Sequence, residues 1–310
     1  MELGGDAIEK LIKAGDIARR TIEYGKGLIR PGRSAREICE TVEKYIYDLG
    51  GMPAFPCNLS VDHVAAHYTP GLRDDVVLRE DSVVKLDIGV SVDGYIADTA
   101  VTIDLSGMHE KLLEASKAAL DSVVSKIRPG ISLYEIGKII ESTVRRHGYK
   151  VIRNLTGHNI SRYTVHAGLS IPNYPDRALF YKRLKPGMQV AIEPFATNGK
   201  GLVKDGSIVN IYSYTGRRPK IKLNDDEEKL LKMVVERYYT LPFTPRWLRK
   251  DFDVDKLDNL VKSLEAKGSL HGYPILEEAA KGLVSQFEHT IVILKDEVLV
   301  ITCKDCRDTS

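Results

Sequence analysis

The sequence predicts an α+β fold built from two related halves, with helices covering one face of a largely antiparallel sheet. Three observations lead to this prediction: an internal repeat, apolar residues at helical spacing ahead of the strands of each half, and alternating segments joined by hairpin turns. A further stretch of helical character has no counterpart in the first half, and we interpret it as an insertion.

The internal repeat relates residues 29–50, which begin IRPGRSAREI, to residues 127–148, which begin IRPGISLYEI. At this offset of 98, nine of the 22 aligned positions are identical. The strand LREDSVVKLD aligns with LKPGMQVAIE at an offset of 106, which places Asp87 on Glu193. Each half is therefore expected to contain helices, a turn and a strand that ends in a carboxylate.

The elements of the first half follow from spacing and capping residues. Apolar residues at helical intervals predict a helix over residues 7–29, and Ser34 is the expected N-cap of a second helix over residues 34–49. The segment KLDIGVSVDGYIADTA, residues 85–100, predicts a β-hairpin whose two-residue turn is the Asp-Gly pair at 93–94.

The pattern changes between about residues 212 and 275. Helices are predicted there over residues 225–241 and 255–267, and neither has a counterpart in the first half. Strands return at residues 290–294 and 298–302. We therefore predict two units, a main domain of residues 1–211 and 276–310 and a helical insertion subdomain of residues 212–275.

The composition, with 43% hydrophobic and 28% charged residues, is that of a folded water-soluble protein. The 45 basic and 43 acidic residues leave a net charge of +2, so neither nucleic acid nor a membrane is an expected partner. The N-terminus MELGGDAIEK lacks the apolar stretch of a signal peptide, and four cysteines are too few for a disulfide framework. We therefore expect a cytoplasmic location.

Two carboxylates are predicted to share one face of the hairpin. If Val92 pairs with Tyr95, Gly89 lies opposite Asp98, and Asp87 is the diagonal neighbour of Asp98 at about 7 to 8 Å. Both acids interrupt apolar strands, and no lysine or arginine lies between them. A lone ionised carboxylate is costly in such a place, so the pair favours a divalent metal over two solvated strand residues.

Other acids and histidines also lie beside apolar strands or in polar loops next to them. Glu193 ends an apolar strand, Glu288 directly precedes the apolar stretch TIVIL, and His158 and His166 lie in the segment GHNISRYTVHAG. Each has an ordinary explanation by itself, such as a hydrogen-bonded loop histidine. Together, four carboxylates and one imidazole form an oxygen-rich donor set suited to two Mn, Fe, Co or Zn ions.

Cys303 and Cys306 have CxxC spacing near the C-terminus. Such a pair occurs in redox motifs and in zinc sites. The sequence offers no second cysteine pair to complete a tetrahedral site, so the first interpretation is two ordinary thiols, and their role stays open.

The order and context of Asp87, Asp98, His158, Glu193 and Glu288 resemble those of the dinuclear-metal methionine aminopeptidases. The blocks AAHYTPG, KLDIG with DGYIADTA, GHNISRYTVHAG, IEPFATNGKG and QFEHT are similar to those of the type 2 branch, and the helical segment resembles its insertion. The resemblance extends from about residue 7 to 303. It implies the pita-bread fold, in which two pseudo-twofold related halves place helices on a curved sheet, with a winged-helix-like insertion.

The resemblance also implies roles for these residues. Two divalent metal ions per chain would be bound, with Asp87 as a terminal ligand, Asp98 and Glu288 as bridging ligands, and His158 and Glu193 completing the set. Glu193 would in addition accept and pass on a proton. The nucleophile would be a water activated by the two metals.

The resemblance further assigns a substrate pocket. His166 would stabilise the developing oxyanion or contact the scissile amide, and His67 would contact the peptide near the leaving group. Phe55, Val165 and Tyr273, together with His67, would form the pocket or rim for the methionine side chain. Ordinary core packing remains an alternative for the three non-histidine residues.

The implied function is removal of the N-terminal methionine from peptides and nascent chains whose second residue is small. A hydrolase of this kind would act as a monomer in the cytoplasm, close to the ribosome. Two alternatives stay open: an Xaa-Pro peptidase of the same fold, and a non-catalytic family member that serves as a binding module. The stretch IYSYTGRRPKI departs from animal type 2 enzymes, so the chain resembles the archaeal members more closely.

Overall fold

The computed structural model describes residues 4–219, 221–304 and 306. The outer ends of the proposed main domain, residues 1–3 and 307–310, therefore lie outside the described residues. Within that part of the chain no helix is both long and apolar enough to cross a membrane. The helices are α1 (Gly5–Leu28), α2 (Ala35–Asp48), α3 (Glu110–Val124), α4 (Leu133–Arg146), α5 (Asp225–Tyr238) and α6 (Val254–Ala266), with short 3-10 turns at Arg177–Leu179 and Pro245–Leu248.

The strands form four small sheets, and every pairing between them is antiparallel, as predicted. The strands are β1 (Met52–Val61), β2 (Val64–Ala66), β3 (Val83–Val92), β4 (Tyr95–Asp104), β5 (Lys150–Val151), β6 (Thr156–Ile160), β7 (Ser170–Pro172), β8 (Gln189–Ile192), β9 (Phe195–Thr197), β10 (Val203–Tyr214), β11 (Leu270–Glu278), β12 (Val284–Gln286), β13 (His289–Ile293) and β14 (Val298–Val300). Their orders in the four sheets are β1-β3-β4, β14-β13-β8-β6-β7, β10-β11-β2 and β12-β9-β5.

The internal repeat is confirmed at the level of single hydrogen bonds. The Ser34 side chain accepts from the third residue of α2, and Ser132, 98 positions later, caps α4 in the same way. Gly32 donates its N–H to the Leu78 carbonyl, and Gly130 donates to the Leu184 carbonyl, both at 2.8 Å. Identical residues at equivalent positions therefore make identical contacts, as expected for two halves of common design.

The predicted hairpin is confirmed in its turn and in its register. Val92 pairs with Tyr95, and Gly89 lies opposite Asp98. Asp93 and Gly94 both have positive φ, which is the backbone that a two-residue hairpin turn requires.

Each half has its own hydrophobic core between its helices and its strands. In the first half α1 and α2 pack on β1, β3 and β4, and in the second half α3 packs on β9 and β12 while α4 packs on β5 and β7. The helices thus cover one side of the strands, and the opposite side of the two halves is free to form a site. The architecture agrees with the predicted α+β pita-bread arrangement.

The segment between residues 212 and 275 contains the two predicted helices, α5 and α6. They pack together around a separate apolar cluster that includes Leu230, Val234 and Phe243. Helix α5 ends at Tyr238, three residues before the predicted end, because Tyr239 adopts φ 58° and breaks the helical hydrogen-bond pattern. Strands β10 and β11 run continuously across the proposed boundaries near residues 211 and 275, and the domain division stays a proposal.

Candidate metal centre

One pocket of about 360 Å³ is lined by residues of both halves and of the segment 212–275. Every residue that the sequence singles out for metal, catalysis or substrate contributes to its wall, although these residues come from nine separate strands or loops. The residues concerned are Phe55, His67, Asp87, Asp98, His158, Val165, His166, Glu193, Tyr273 and Glu288.

Asp98 and Glu288 are brought together by hydrogen bonds between β4 and the start of β13. The Glu288 N–H donates to the Ala100 carbonyl at 3.0 Å, and the Thr99 hydroxyl donates to the Glu288 carbonyl at 2.8 Å. Thr290 accepts from the Asp98 N–H and donates to the Asp98 carbonyl, both at 2.7 Å. The two threonines therefore fix the backbone beneath the two carboxylates that were predicted to bridge the metals.

The second half contributes His158 from β6 and Glu193 from the residue that follows β8. His158 lies opposite Ala191 in the strand register, so its ring and the Glu193 carboxylate reach the same side of the sheet. His158 Nε2 is 3.7 Å from Asp98 Oδ2 and 3.5 Å from Glu193 Oε1. Donor atoms of Asp98, His158 and Glu288 all lie within 4.8 Å of one another, a spacing that one metal ion can span.

Two amide side chains that the sequence analysis missed contact the carboxylates. Asn58 Nδ2 donates to Asp87 Oδ2 at 3.5 Å, and Gln286 Nε2 donates to Glu288 at 3.2 Å and to Glu193 at 3.4 Å. Gln286 is two residues before Glu288 in the same extended segment, so period-two alternation could have identified it. No local pattern points to Asn58, which comes from β1.

The four carboxylates destabilise one another's ionised forms. Burial raises the pKa of Asp87 to about 7. Burial, and then the negative charge of the neighbouring acids, raises the pKa of Asp98, Glu193 and Glu288 well above the usual values. Among the residues that the structure describes, no lysine or arginine forms an ion pair with any of the four.

This arrangement fits divalent cations. Asp87 Oδ1 and Asp98 Oδ1 are buried oxygens with no hydrogen-bond partner among the described residues. Burial first, and then the neighbouring His166, lowers the pKa of His158 to about 3, so the His158 ring is neutral and free to donate a lone pair. Oxygen donors with a single imidazole suit Mn, Fe, Co or Zn and differ from thiolate zinc sites.

The two remaining histidines lie at the pocket with neutral rings. His67 Nδ1 is 3.2 Å from the Pro274 carbonyl, so Nδ1 carries the proton that donates to this oxygen. Burial lowers the pKa of His67 to about 4, and it also lowers the pKa of His166. His67 has φ 65°, a rarely populated conformation for a histidine, and is held there by the loop after β2.

The apolar wall of the pocket is formed by residues that pack around the predicted metal ligands. Phe55 and Val165 are 7% and 6% exposed and belong to one small cluster that also contains Ile96 and Leu241. The Phe55 ring lies directly over Gly89, where an added Cβ would be 2.3 Å from the ring. Tyr273 forms an edge contact with His67, with ring centroids 5.9 Å apart.

The sequence of the chain matches a family model over residues 9–293, and that model describes metallopeptidase family M24. A methionine aminopeptidase of Methanocaldococcus jannaschii is 46% identical over 302 residues, which is 97% of this chain and 100% of the relative. A methionine aminopeptidase of Saccharolobus solfataricus is 44% identical, with 96% of this chain and 98% of the relative covered.

Solved structures show that the fold of this chain is shared. A methionine aminopeptidase of Thermotoga maritima superposes with a TM-score of 0.70 at 22% identity, covering 98% of this chain and 99% of that chain. A thermophilic Arx1 superposes with a TM-score of 0.85 at 18% identity, covering 96% of this chain and 91% of that chain. At such low identity these likenesses concern the fold alone.

Proposed function

The chain belongs to metallopeptidase family M24, and from this premise we propose that it is a metal-dependent aminopeptidase that removes the N-terminal methionine of peptides. The relatives named methionine aminopeptidase match it over nearly the full length of this chain and of their own chains. The observation that carries the proposal is the pocket in which four buried carboxylates and one imidazole meet without an ion pair to any lysine or arginine that the structure describes.

The metal-binding residues in this proposal are Asp87, Asp98, His158, Glu193 and Glu288, and they would hold two divalent ions. Asp87 would contribute to one ion, His158 and Glu193 would contribute to the other, and Asp98 and Glu288 would contribute to both. When bound, the ions lower the pKa of a water and polarise the scissile carbonyl. Mn, Fe, Co and Zn all suit the donor set.

The protein side chains then move protons and orient the peptide. Glu193 accepts a proton from the attacking water and delivers it to the leaving nitrogen. Neutral His166 donates a hydrogen bond to the oxygen that gains negative charge, and neutral His67 contacts the peptide beside the leaving group. The pKa of both imidazoles lies below its usual value, so neither becomes a competing cation near the metals.

The pocket also accounts for a preference for methionine. Phe55, Val165 and Tyr273 supply an apolar wall next to the carboxylates, so an unbranched thioether side chain can be buried while its α-amine reaches Asp87. Tyr273 comes from β11, at the edge of the proposed insertion subdomain. The preference for a small second residue belongs to the same proposal, and that residue would lie beside His67.

We further propose that the protein acts as a monomer in the cytoplasm, on nascent chains close to the ribosome. A nascent methionine is exposed first at that place. The division into a main domain of residues 1–211 and 276–310 and an insertion subdomain of residues 212–275 belongs to the same proposal, because the insertion would close one side of the pocket.

The test of the activity is a substrate comparison on the purified full chain. We expect release of methionine from Met-Ala-Ser, loss of this activity with a chelator, and recovery on addition of Mn²⁺, Fe²⁺, Co²⁺ or Zn²⁺. Faster cleavage of Xaa-Pro peptides would favour the prolidase alternative, and absence of turnover with every metal would favour a binding module.

The roles of the histidines have a separate test. His67→Ala and His166→Ala are expected to retain the metal content of the unmodified chain and to lose roughly a hundredfold in kcat/KM. Metal content measured by elemental analysis separates this outcome from loss of a ligand. A histidine variant that loses metal in proportion to activity would contradict the assignment.

A further inference from the structure

A second group of metal-ligating side chains lies beside the first and takes no part in the proposed reaction. It consists of His289, Cys303 and Cys306, and all three are partly buried. His289 directly follows Glu288, and neighbouring residues of an extended segment point to opposite faces of the sheet. The group therefore occupies the other side of β13 from the carboxylates.

The separation between His289 and Cys306 matches that of two ligands of one metal ion. The ligand atoms of the three residues lie within 4.8 Å of one another, and Cys306 Sγ is 3.6 Å from His289 Nε2. Around a tetrahedral zinc ion, bond lengths of about 2.3 Å to sulfur and about 2.0 Å to nitrogen place these two ligand atoms about 3.5 Å apart. The observed separation thus already suits a bound ion.

The His289 ring is held in the orientation that a ligand needs. His289 Nδ1 is 3.0 Å from the Thr302 hydroxyl, which also accepts the Thr290 N–H at 3.1 Å. A hydrogen bond at one ring nitrogen fixes the ring and leaves the other to the metal, as ligating histidines in proteins commonly show. Nε2 is the nitrogen that faces the sulfur atoms.

The cluster also has an open side. A surface cleft of about 410 Å³ is lined by both cysteines, by Val300 and Ile301 of the chain just before them, and by Asp16 of α1. Water can therefore reach a fourth coordination position. The missing second cysteine pair, which argued against a metal at the CxxC motif, is replaced here by an imidazole and a water.

We propose that His289, Cys303 and Cys306 in their reduced form bind one thiophilic divalent ion, of which Zn²⁺ is the type, at a site separate from the carboxylate pocket. The ion would join the C-terminal segment to the first residue of β13. This site is additional to the two ions of the proposed function, and its existence does not depend on the peptidase activity.

The structure contains the two cysteines as a disulfide, so reduction must precede binding. A phosphine reductant breaks the S–S bond, takes the oxygen of one water to become the phosphine oxide, and leaves the two protons of that water on the sulfurs. Metal binding then forms two metal–sulfur bonds and releases these two protons to solvent. Disulfide and metal are therefore alternative states of the same pair.

Cobalt spectroscopy can distinguish the two sites. When the phosphine-reduced full chain is titrated with Co²⁺, we expect a near-ultraviolet thiolate-to-cobalt charge-transfer band, because only this site offers sulfur ligands. Elemental analysis of the reduced zinc form should give one ion more than the oxidised form. Bound Zn²⁺ should also slow alkylation of Cys303 and Cys306 at least about tenfold, since the metal competes for the thiolates.

Matched variants assign the band to its ligands. Cys303→Ser with Cys306→Ser should abolish the band and the extra ion while methionine release continues. His289→Asn keeps an amide that can bond Thr302 but lacks Nε2, so the cobalt affinity should fall at least about tenfold. Cys39→Ala, which removes a buried thiol of the first half, should leave the band unchanged.

The outcomes decide the proposal in both directions. The band, the extra ion and the response to His289→Asn together support a Cys₂His site, even in a preparation without peptidase activity. Absence of the band in the reduced chain overturns the site, as does equal alkylation with and without Zn²⁺. A cobalt affinity that is the same in His289→Asn overturns the role of the imidazole and with it the three-ligand site.

Discussion

Buried carboxylates have two contrasting environments in this molecule, at the end of β11 and in the pocket. The Glu278 carboxylate is fully buried, yet burial is outweighed by backbone hydrogen bonds that lower its pKa. Asp98 is equally buried, but its Oδ1 has no partner among the described residues and its pKa is raised. The donors to Glu278 are the N–H groups of Lys200, Gly201, Ala280 and Gly282, at 2.5 to 3.0 Å.

A third buried carboxylate is neutralised by a side chain. Glu43 of α2 accepts from Arg246 at 2.8 and 2.9 Å and from the Trp247 indole at 2.9 Å. Burial by itself lowers the pKa of Arg246, but the charge and hydrogen bonds of Glu43 outweigh it and raise that pKa. This pair joins the segment after α5 to the first half.

The contrast teaches how to recognise a site for a cation. Where the fold requires a buried acid for its own stability, it provides N–H donors or an arginine next to that acid. In the pocket it places four acids together, and the side-chain donors that contact them among the described residues are the amides of Asn58 and Gln286 and the neutral ring of His158. The missing positive charge is therefore expected to come from outside the chain.

The largest expected effect is on the pocket. Asp98→Asn keeps the shape of the side chain but removes a charge that would bind both ions, so we expect methionine release to fall by more than about a thousandfold and tight metal binding to be lost. Peptide assays and elemental analysis measure the two effects. Full activity in a metal-free Asp98→Asn preparation would contradict the conclusion that the pocket acids bind the ions needed for activity.

The ion pair between Arg246 and Glu43 should contribute to the stability of the fold rather than to metal binding. Arg246→Met leaves Glu43 buried without its partner, and we expect the free energy of unfolding to fall by about 3 to 5 kcal/mol. The exposed pair of Lys44 and Asp48 is the control, since Lys44→Met should cost less than about 1 kcal/mol. Urea unfolding measures both, and equal effects would show that burial does not matter here.

Glu278 and Asp98 can be compared directly in the presence of a chelator. Glu278→Gln weakens charge-assisted hydrogen bonds, and we expect it to destabilise the protein by about 1.5 to 3 kcal/mol. Asp98→Asn relieves repulsion in the metal-free pocket and should raise the melting temperature. Shifts of the same sign in the two variants would show that the hydrogen bonds to Glu278 do not set it apart from Asp98.

Replacing Gln286 should weaken metal binding less than replacing Asp98 does. Gln286→Leu removes the amide that orients Glu193 and Glu288 while keeping a similar volume, so metal affinity should fall about 10- to 100-fold. Isothermal titration with Mn²⁺ measures this change. Unaltered affinity would limit the role of Gln286 to packing.

The smallest effect concerns pH. In the metal-free protein the folded-state pKa of Asp98 is raised, so its contribution to stability is present at low pH and is lost as pH rises through that pKa. From the unfolded pKa of about 3.9 up to the raised folded pKa, stability should fall relative to Asp98→Asn by up to about 1.4 kcal/mol per pH unit. The lowered pKa of Lys85, about 7, acts with the opposite sign but is common to both proteins. Parallel pH profiles of the two melting temperatures would contradict the raised pKa.

Much of the molecule could be predicted from local signals. The caps Ser34 and Ser132, the hairpin turn at 93–94 and the carboxylates at strand ends have short-range causes that are visible in the sequence. The end of α5 was misplaced because the positive φ of Tyr239 has no signal in residue type. Asn58 was missed because its partner, Asp87, is 29 residues away and on another strand.

The sequence by itself determined which residues are available for chemistry: a duplicated pattern of helix, strand and terminal acid, and a histidine in the second half. Only the tertiary structure decided which charges remain without a partner. Glu43, Glu278 and Asp98 are all acids in the sequence, and packing alone brings Arg246 to the first, backbone N–H groups to the second and other acids to the third. The physical reason is that the energy of a buried charge depends on neighbours distant along the chain, which local patterns do not encode.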